Sequence, residues 1–125
     1  MTPLDAPATV PPLDPNALDA LRSLNPGDDS FLRDLIQIFL EDSPARIAEI
    51  AEALAQADVR RVTRAAHSLK GSSANFGAIR LQAVSEKIEM LGRQGTLAEV
   101  PAFLAAMEVE FAAVRTALQA LLPPA

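Results

Sequence analysis

The chain contains one histidine and no cysteine, so imidazole or thiol chemistry can reside only at His67. On a helix, the surface neighbours of a residue lie three, four and seven positions away. For His67 these are Arg60, Thr63, Arg64, Lys70, Gly71 and Ala74, three cations and two small residues among them. Nearby positive charge disfavours the imidazolium form and leaves a ring nitrogen available as a nucleophile. The same cations stabilise an anionic group once it is carried on that nitrogen. A phosphoryl group meets both conditions, with Lys70 as a mobile point charge for its oxygens. No oxyanion hole, second base or glycine-rich phosphate loop accompanies the histidine. The expected chemistry is therefore holding a phosphoryl group, not driving its release.

The helix that carries His67 must be positioned by the rest of the chain. At 125 residues and 13.3 kDa, with half the residues hydrophobic and a mean hydropathy of +0.17, there is material for one compact domain. Strand signals are missing, and apolar residues recur at helical spacing. Asp14-Pro15 reads as an N-cap with proline at the first helical position, opening a short helix through Leu18, Leu21 and Leu24 that Asn25-Pro26-Gly27 stops. Asp28 is placed to cap a helix carrying Leu32, Leu35, Ile36 and Phe39. Ser43-Pro44 marks a kink or a restart before Ile47, Ile50 and Leu54. Asp58 caps a third segment with the seam Val59, Val62, Ala66, Leu69, Ser73 and Phe76, closed by Asn75 to Gly77. Leu81, Val84, Ile88 and Leu91 define a fourth, ending near Gly92 to Gly95. Val100, Leu104, Met107, Phe111, Val114, Leu118 and Leu121 define a fifth, with Thr96 and Glu99 at capping-box spacing before it. The expected fold is all-α: an antiparallel four-helix bundle with a short additional N-terminal helix, over residues 14–122. Residues 1–13, with four of the ten prolines, read as a flexible tail or linker, and residues 123–125 as a disordered C-terminus.

Composition removes several functions. Without cysteine there are no disulfides, Cys-ligated zinc or iron–sulfur clusters. A metal site is not expected, since His67 has no carboxylate three or four positions away. A net charge of −5 and the lack of aromatics near the arginines argue against nucleic acid. No apolar run is long enough to span a membrane, and the N-terminus lacks a signal-peptide pattern, so the expected location is cytoplasmic without direct membrane contact. Ser68 and His67 are adjacent on the helix and form no triad. Met90 and Met107 read as core fillers, and Glu86, Glu89, Glu108 and Glu110 as solvated helix faces.

Two features resist a purely structural reading. Residues 59–85 contain no acid, and Arg60, Arg61, Arg64, Lys70 and Arg80 give them +5, leaving −10 on the remainder. The lone histidine lies on this basic segment. Gly71 also sits in mid-helix, where glycine costs roughly 0.5–1 kcal/mol relative to alanine. It falls on the His67 side and off the seam, which favours access for a partner over close helix packing.

The run Ala66-His67-Ser68-Leu69-Lys70-Gly71-Ser72-Ser73-Ala74-Asn75-Phe76-Gly77-Ala78 resembles the signature of histidine-containing phosphotransfer (HPt) domains, four-helix intermediates of multistep His–Asp phosphorelays. The Leu13-Asp14-Pro15 helix start and Phe39-Leu40-Glu41-Asp42 are also similar, so the resemblance covers about residues 13–122. It implies that His67 accepts a phosphoryl group from a receiver-domain aspartate and passes it to another, with Lys70 assisting phosphate binding. Gly71 matches the small residue that admits the receiver's loops, and Ser72 and Ser73 match the motif serines, Ser73 serving tight packing. Arg60, Arg64, Ala74 and Arg93 are expected on the binding face. Many relatives carry a glutamine near the histidine on the next helix, where this chain has Glu89; facing the site, it would repel phosphate and weaken the phosphorylated state.

The expected partners are receiver domains of a hybrid sensor histidine kinase or of response regulators. They would supply the aspartate and a divalent metal, so this chain needs no cofactor and is a carrier, not an enzyme. The alternative is an interaction module that docks receivers without being phosphorylated. An ATP-using kinase is not expected, because the length leaves no room for a nucleotide-binding domain.

Overall fold

The structure, a computed structural model, describes residues 10–122. The expectations for residues 1–9 and 123–125 fall outside the described residues. Five helices occur in order: α1 (Pro15–Ser23), α2 (Ser30–Ala55), α3 (Val59–Asn75), α4 (Ile79–Gln94) and α5 (Val100–Gln119), with no strand among the described residues. The short connections force consecutive long helices antiparallel. The α3 helix packs most extensively on α4 and then on α2, α5 closes the ring against α4 and α2, and α1 rests on α2. None of the described helices is long and apolar enough to cross a membrane.

The helix ends are set by local chemistry. The Asp14 side chain accepts from the Asn16 backbone N–H, with Pro15 opening α1. Asp28 accepts from the Ser30 N–H at 2.9 Å, and Asp58 from the Arg61 N–H at 3.2 Å. Gly77 (φ 63°) and Gly95 (φ 71°) end α3 and α4 in the left-handed region. Gly77 also approaches α1 closely: its carbonyl accepts from the Asp14 N–H at 2.9 Å, and an added Cβ would lie 2.5 Å from that of Asp14. Leu13, assigned to the tail from sequence, is buried in the core as a result.

The expected seam of α3 is buried at Val62, Ala66, Leu69, Ser73 and Phe76, with Val59 only half-buried. Phe39 links three elements, its ring centroid 5.1 Å from Phe76 and 6.0 Å from Phe111. Three expectations need correction. The α2 helix runs through Pro44 without a restart. Pro44 is exposed, so water can satisfy the carbonyl one turn back, while Ser43, Ile47 and Ile50 keep the buried stripe continuous. The capping box before α5 does not form; Glu99 makes no side-chain cap bond, and the Thr96 N–H donates to the Leu91 carbonyl in the α4 terminus. Met90 is exposed rather than a core filler, whereas Met107 is fully buried. The α4 helix ends within the expected Gly92 to Gly95 stretch, at Gln94 with Gly95 as its C-cap, so Gly92 lies in its last turn.

Gly92 shows why α3 and α4 pack so closely. A Cβ there would meet Thr63 Oγ1 at 2.3 Å and Thr63 Cα at 3.3 Å. Ser73 and Ser85, both fully buried, bond their hydroxyls back to the Leu69 and Leu81 carbonyls and keep small volumes in α3 and α4. At Gly71 a Cβ would meet nothing within 4 Å. The two glycines therefore predict opposite outcomes. Gly92→Ala is expected to destabilise by about 1–3 kcal/mol through overpacking. Gly71→Ala is expected to stabilise by about 0.5–1 kcal/mol through helix propensity. Urea denaturation of both variants checks this, and equal effects would contradict it.

Candidate functional site

The capped α3 helix carries His67 on its α4-facing border, one residue past buried Ala66. Its side chain is 63% exposed. Beneath it, α4 presents Glu89, whose side chain is only 3% exposed; of the two readings of this residue, a solvated acid or one facing the site, the structure takes the second. Glu86 and Glu108 are exposed as expected, and Glu110 pairs with Arg80 Nε at 2.6 Å. Position 89 turns inward because it shares an α4 stripe with small Ser85 and Gly92, which let α3 approach. That stripe was the available sequence signal.

Three donors converge on the Glu89 carboxylate. His67 Nδ1 lies 2.7 Å from Oε2, Arg93 Nη2 lies 2.7 Å from the same oxygen, and Lys70 Nζ lies 2.6 Å from Oε1. Burial is the largest single influence on this carboxyl and opposes its ionisation. Hydrogen bonds from Lys70 and His67, together with their charge, outweigh it and hold the carboxyl below its ordinary value. An ionised carboxylate can only accept, so the bond to His67 requires the proton on Nδ1. In the neutral ring, the lone pair is then on Nε2. The ring's nearest charged neighbour is thus a carboxylate, which corrects the expectation of a purely cationic environment. Lys70 and Arg93 neutralise that acid.

The other expected residues are spread over the surrounding surface. Arg64 and Arg93 line a shallow depression around His67 together with Ser68, Glu89 and Thr63, the neighbour four positions back that helical spacing gave; Ser68 was not expected there. Arg60 is exposed one turn further back and does not line it. Gly71 and Ala74 are exposed on α3 beyond His67 and leave that surface low. Ser72 bonds back to the Ser68 and Leu69 carbonyls, and Ser73 is buried at the seam, so both serve the helix. No group of His, Asp and Glu suited to a metal ion occurs among the described residues.

The Glu89 arrangement has a pH consequence. Its folded value lies below the unfolded 4.5, so its contribution to stability is present above that pH and is lost as pH falls below it. Wild type should therefore lose stability relative to Glu89→Gln on acidification below pH 4.5, by urea midpoints measured at several pH values. A pH-independent difference would mean that the carboxyl titrates alike in the folded and unfolded chain, and would contradict the lowered value.

Residues 34–122 match the Hpt domain family. The histidine-containing phosphotransfer protein B (HptB) of Pseudomonas aeruginosa PAO1 superposes with a TM-score of 0.82 at 33% identity, over 89% of this chain and 94% of that one. The histidine-containing phosphotransfer protein ZmHP2 of maize gives a TM-score of 0.78 at 26% identity, over 87% of this chain and 82% of that one. Multistep phosphorelay regulator 1 of Schizosaccharomyces pombe is 28% identical over 81 residues; these cover 64% of this chain but 28% of that longer protein. Two helices meeting beneath one exposed imidazole, a matching family profile and superposable bundles lead to one conclusion: the chain belongs to the Hpt domain family.

Proposed function

We propose that this protein is a phosphorelay intermediate whose His67 takes a phosphoryl group from a receiver-domain aspartate and passes it to another receiver. Family membership supports the phosphotransfer role. The observation that carries the finer reading is the division of labour within the ring: Nδ1 is bonded to Glu89 at 2.7 Å, and the other nitrogen belongs to a side chain 63% exposed. In the transfer, the Nε2 lone pair attacks phosphorus, the bond from phosphorus to the aspartate oxygen breaks, and that oxygen leaves as a carboxylate. Lys70 and Arg93, about one helical turn from His67 and Glu89 respectively, are within reach of the transferred oxygens. The exposed face at Gly71 and Ala74 leaves room for receiver loops, and the basic surface of Arg60 and Arg64 attracts an acidic receiver pocket. The receiver would bring the divalent metal; this chain supplies a nucleophile and counter-charges and needs no cofactor. We also place its activity in the cytoplasm, where such receivers work.

A non-phosphorylated docking module is the alternative, because Glu89 adds negative charge where phosphate must sit. The two cations bonded to Glu89 offset that charge and favour the carrier. The test is incubation with a phosphorylated receiver. Wild type should acquire an acid-labile, base-stable label that is absent in His67→Gln. Lys70→Ala should slow labelling or shorten its lifetime while the helical content is retained. Gly71→Gln should fold and yet lose at least about tenfold in transfer, the equivalent of a 1.4 kcal/mol docking clash. Intact docking with zero transfer by wild type would select the docking module instead, and a label that persists in His67→Gln would overturn the assignment of the acceptor.

A further inference from the structure

An exposed histidine needs only one hydrogen bond to fix its ring, and a neutral amide can provide it. This site uses a buried carboxylate shared with two cations. The excess charge acts on the phosphorylated ring, so this inference rests on the carrier reading. When Nε2 takes up the phosphoryl group, Nδ1 keeps its proton, and the immediate product is a phosphoimidazolium hydrogen-bonded to Glu89. Return of the group to an aspartate then expels a neutral imidazole. Were the Nδ1 proton lost to solvent, the same step would have to expel an imidazolate, a far poorer leaving group.

Among the described residues, the charged groups facing the ring come from α3 and α4: Arg64 and Lys70 from the first, Glu89 and Arg93 from the second. Glu89 is the one acid among them. It touches Nδ1 directly and is shielded from water, so it favours retention of that proton. Its charge also opposes the phosphoryl dianion, because Lys70 and Arg93 must be shared between two anionic partners. The first effect keeps the leaving group a neutral imidazole, and the second raises the energy of the phosphorylated state. We propose that Glu89, buried beneath His67 and bonded to Nδ1, keeps the phosphorylated ring protonated and makes it a short-lived, strongly donating phosphoryl carrier.

The test uses the whole chain phosphorylated with phosphoramidate, which needs no receiver, as wild type and as Glu89→Gln. The phosphorus NMR resonance is monitored against pH, together with the rate of phosphoryl loss. In wild type the resonance should report a protonated ring well above the pH at which free phosphohistidine loses that proton, and the loss rate should stay level over that interval. In Glu89→Gln the ring should titrate as in free phosphohistidine, and the phosphoryl group should survive about tenfold longer at mildly alkaline pH, a change of about 1.4 kcal/mol. A wild-type ring that titrates like free phosphohistidine would overturn the proposal without requiring the variant to fold. Identical pH profiles for the two proteins would overturn it as well. A chain that accepts no phosphoryl group from phosphoramidate or from a receiver would overturn the carrier reading, and this inference with it.

Discussion

A carboxylate removed from water has to be compensated, or the fold would protonate or expel it. Glu89 meets that requirement with three donors drawn from two helices, and much of the local architecture serves to bring them there. His67 and Lys70 are three residues apart on α3, and Arg93 lies one turn beyond Glu89 on α4. All three reach the same two oxygens only if the helix axes are close. Gly92 against Thr63 and the self-bonded serines Ser73 and Ser85 permit that approach. The ion cluster is thus a consequence of small residues at the α3–α4 contact as much as of its own charges.

The same cluster turns an exposed side chain into a directed one. A solvent-facing histidine samples its rotamers and tautomers freely; the bond from Nδ1 to a fixed carboxylate removes most of that freedom. What remains available is one nitrogen on a face lowered by Gly71 and Ala74 and flanked by Arg64. The domain accordingly needs no cleft. Its open surface suits the proposed transfer, in which the aspartate and its metal would arrive on a separate protein.

Helical periodicity made the bundle legible in the sequence, because the buried stripe of each amphipathic helix repeats at a spacing that nothing else produces. Asp14, Asp58, Gly77 and Gly95 likewise announced helix ends through capping chemistry that acts within a few residues. Legibility failed where a residue's role depends on a second element. Helical pattern alone leaves Glu89 a solvated acid, and only the family resemblance marked it as a residue that could face the site; Met90 reads as core until α4 is rotated to accommodate Glu89. Pro44 reads as a break until the continuous burial of Ser43, Ile47 and Ile50 is seen to hold α2 together. His67, Lys70 and Gly71 could be recognised from one helix alone because their signals are local in sequence.

The direct measurement of the central claim is the pair of nitrogen NMR shifts of the neutral His67 ring in the unphosphorylated protein. A protonated Nδ1 and a bare Nε2 are predicted, with the preference weakened in Glu89→Gln. A ring protonated on Nε2, or one whose tautomers are unchanged by that substitution, would contradict the claim.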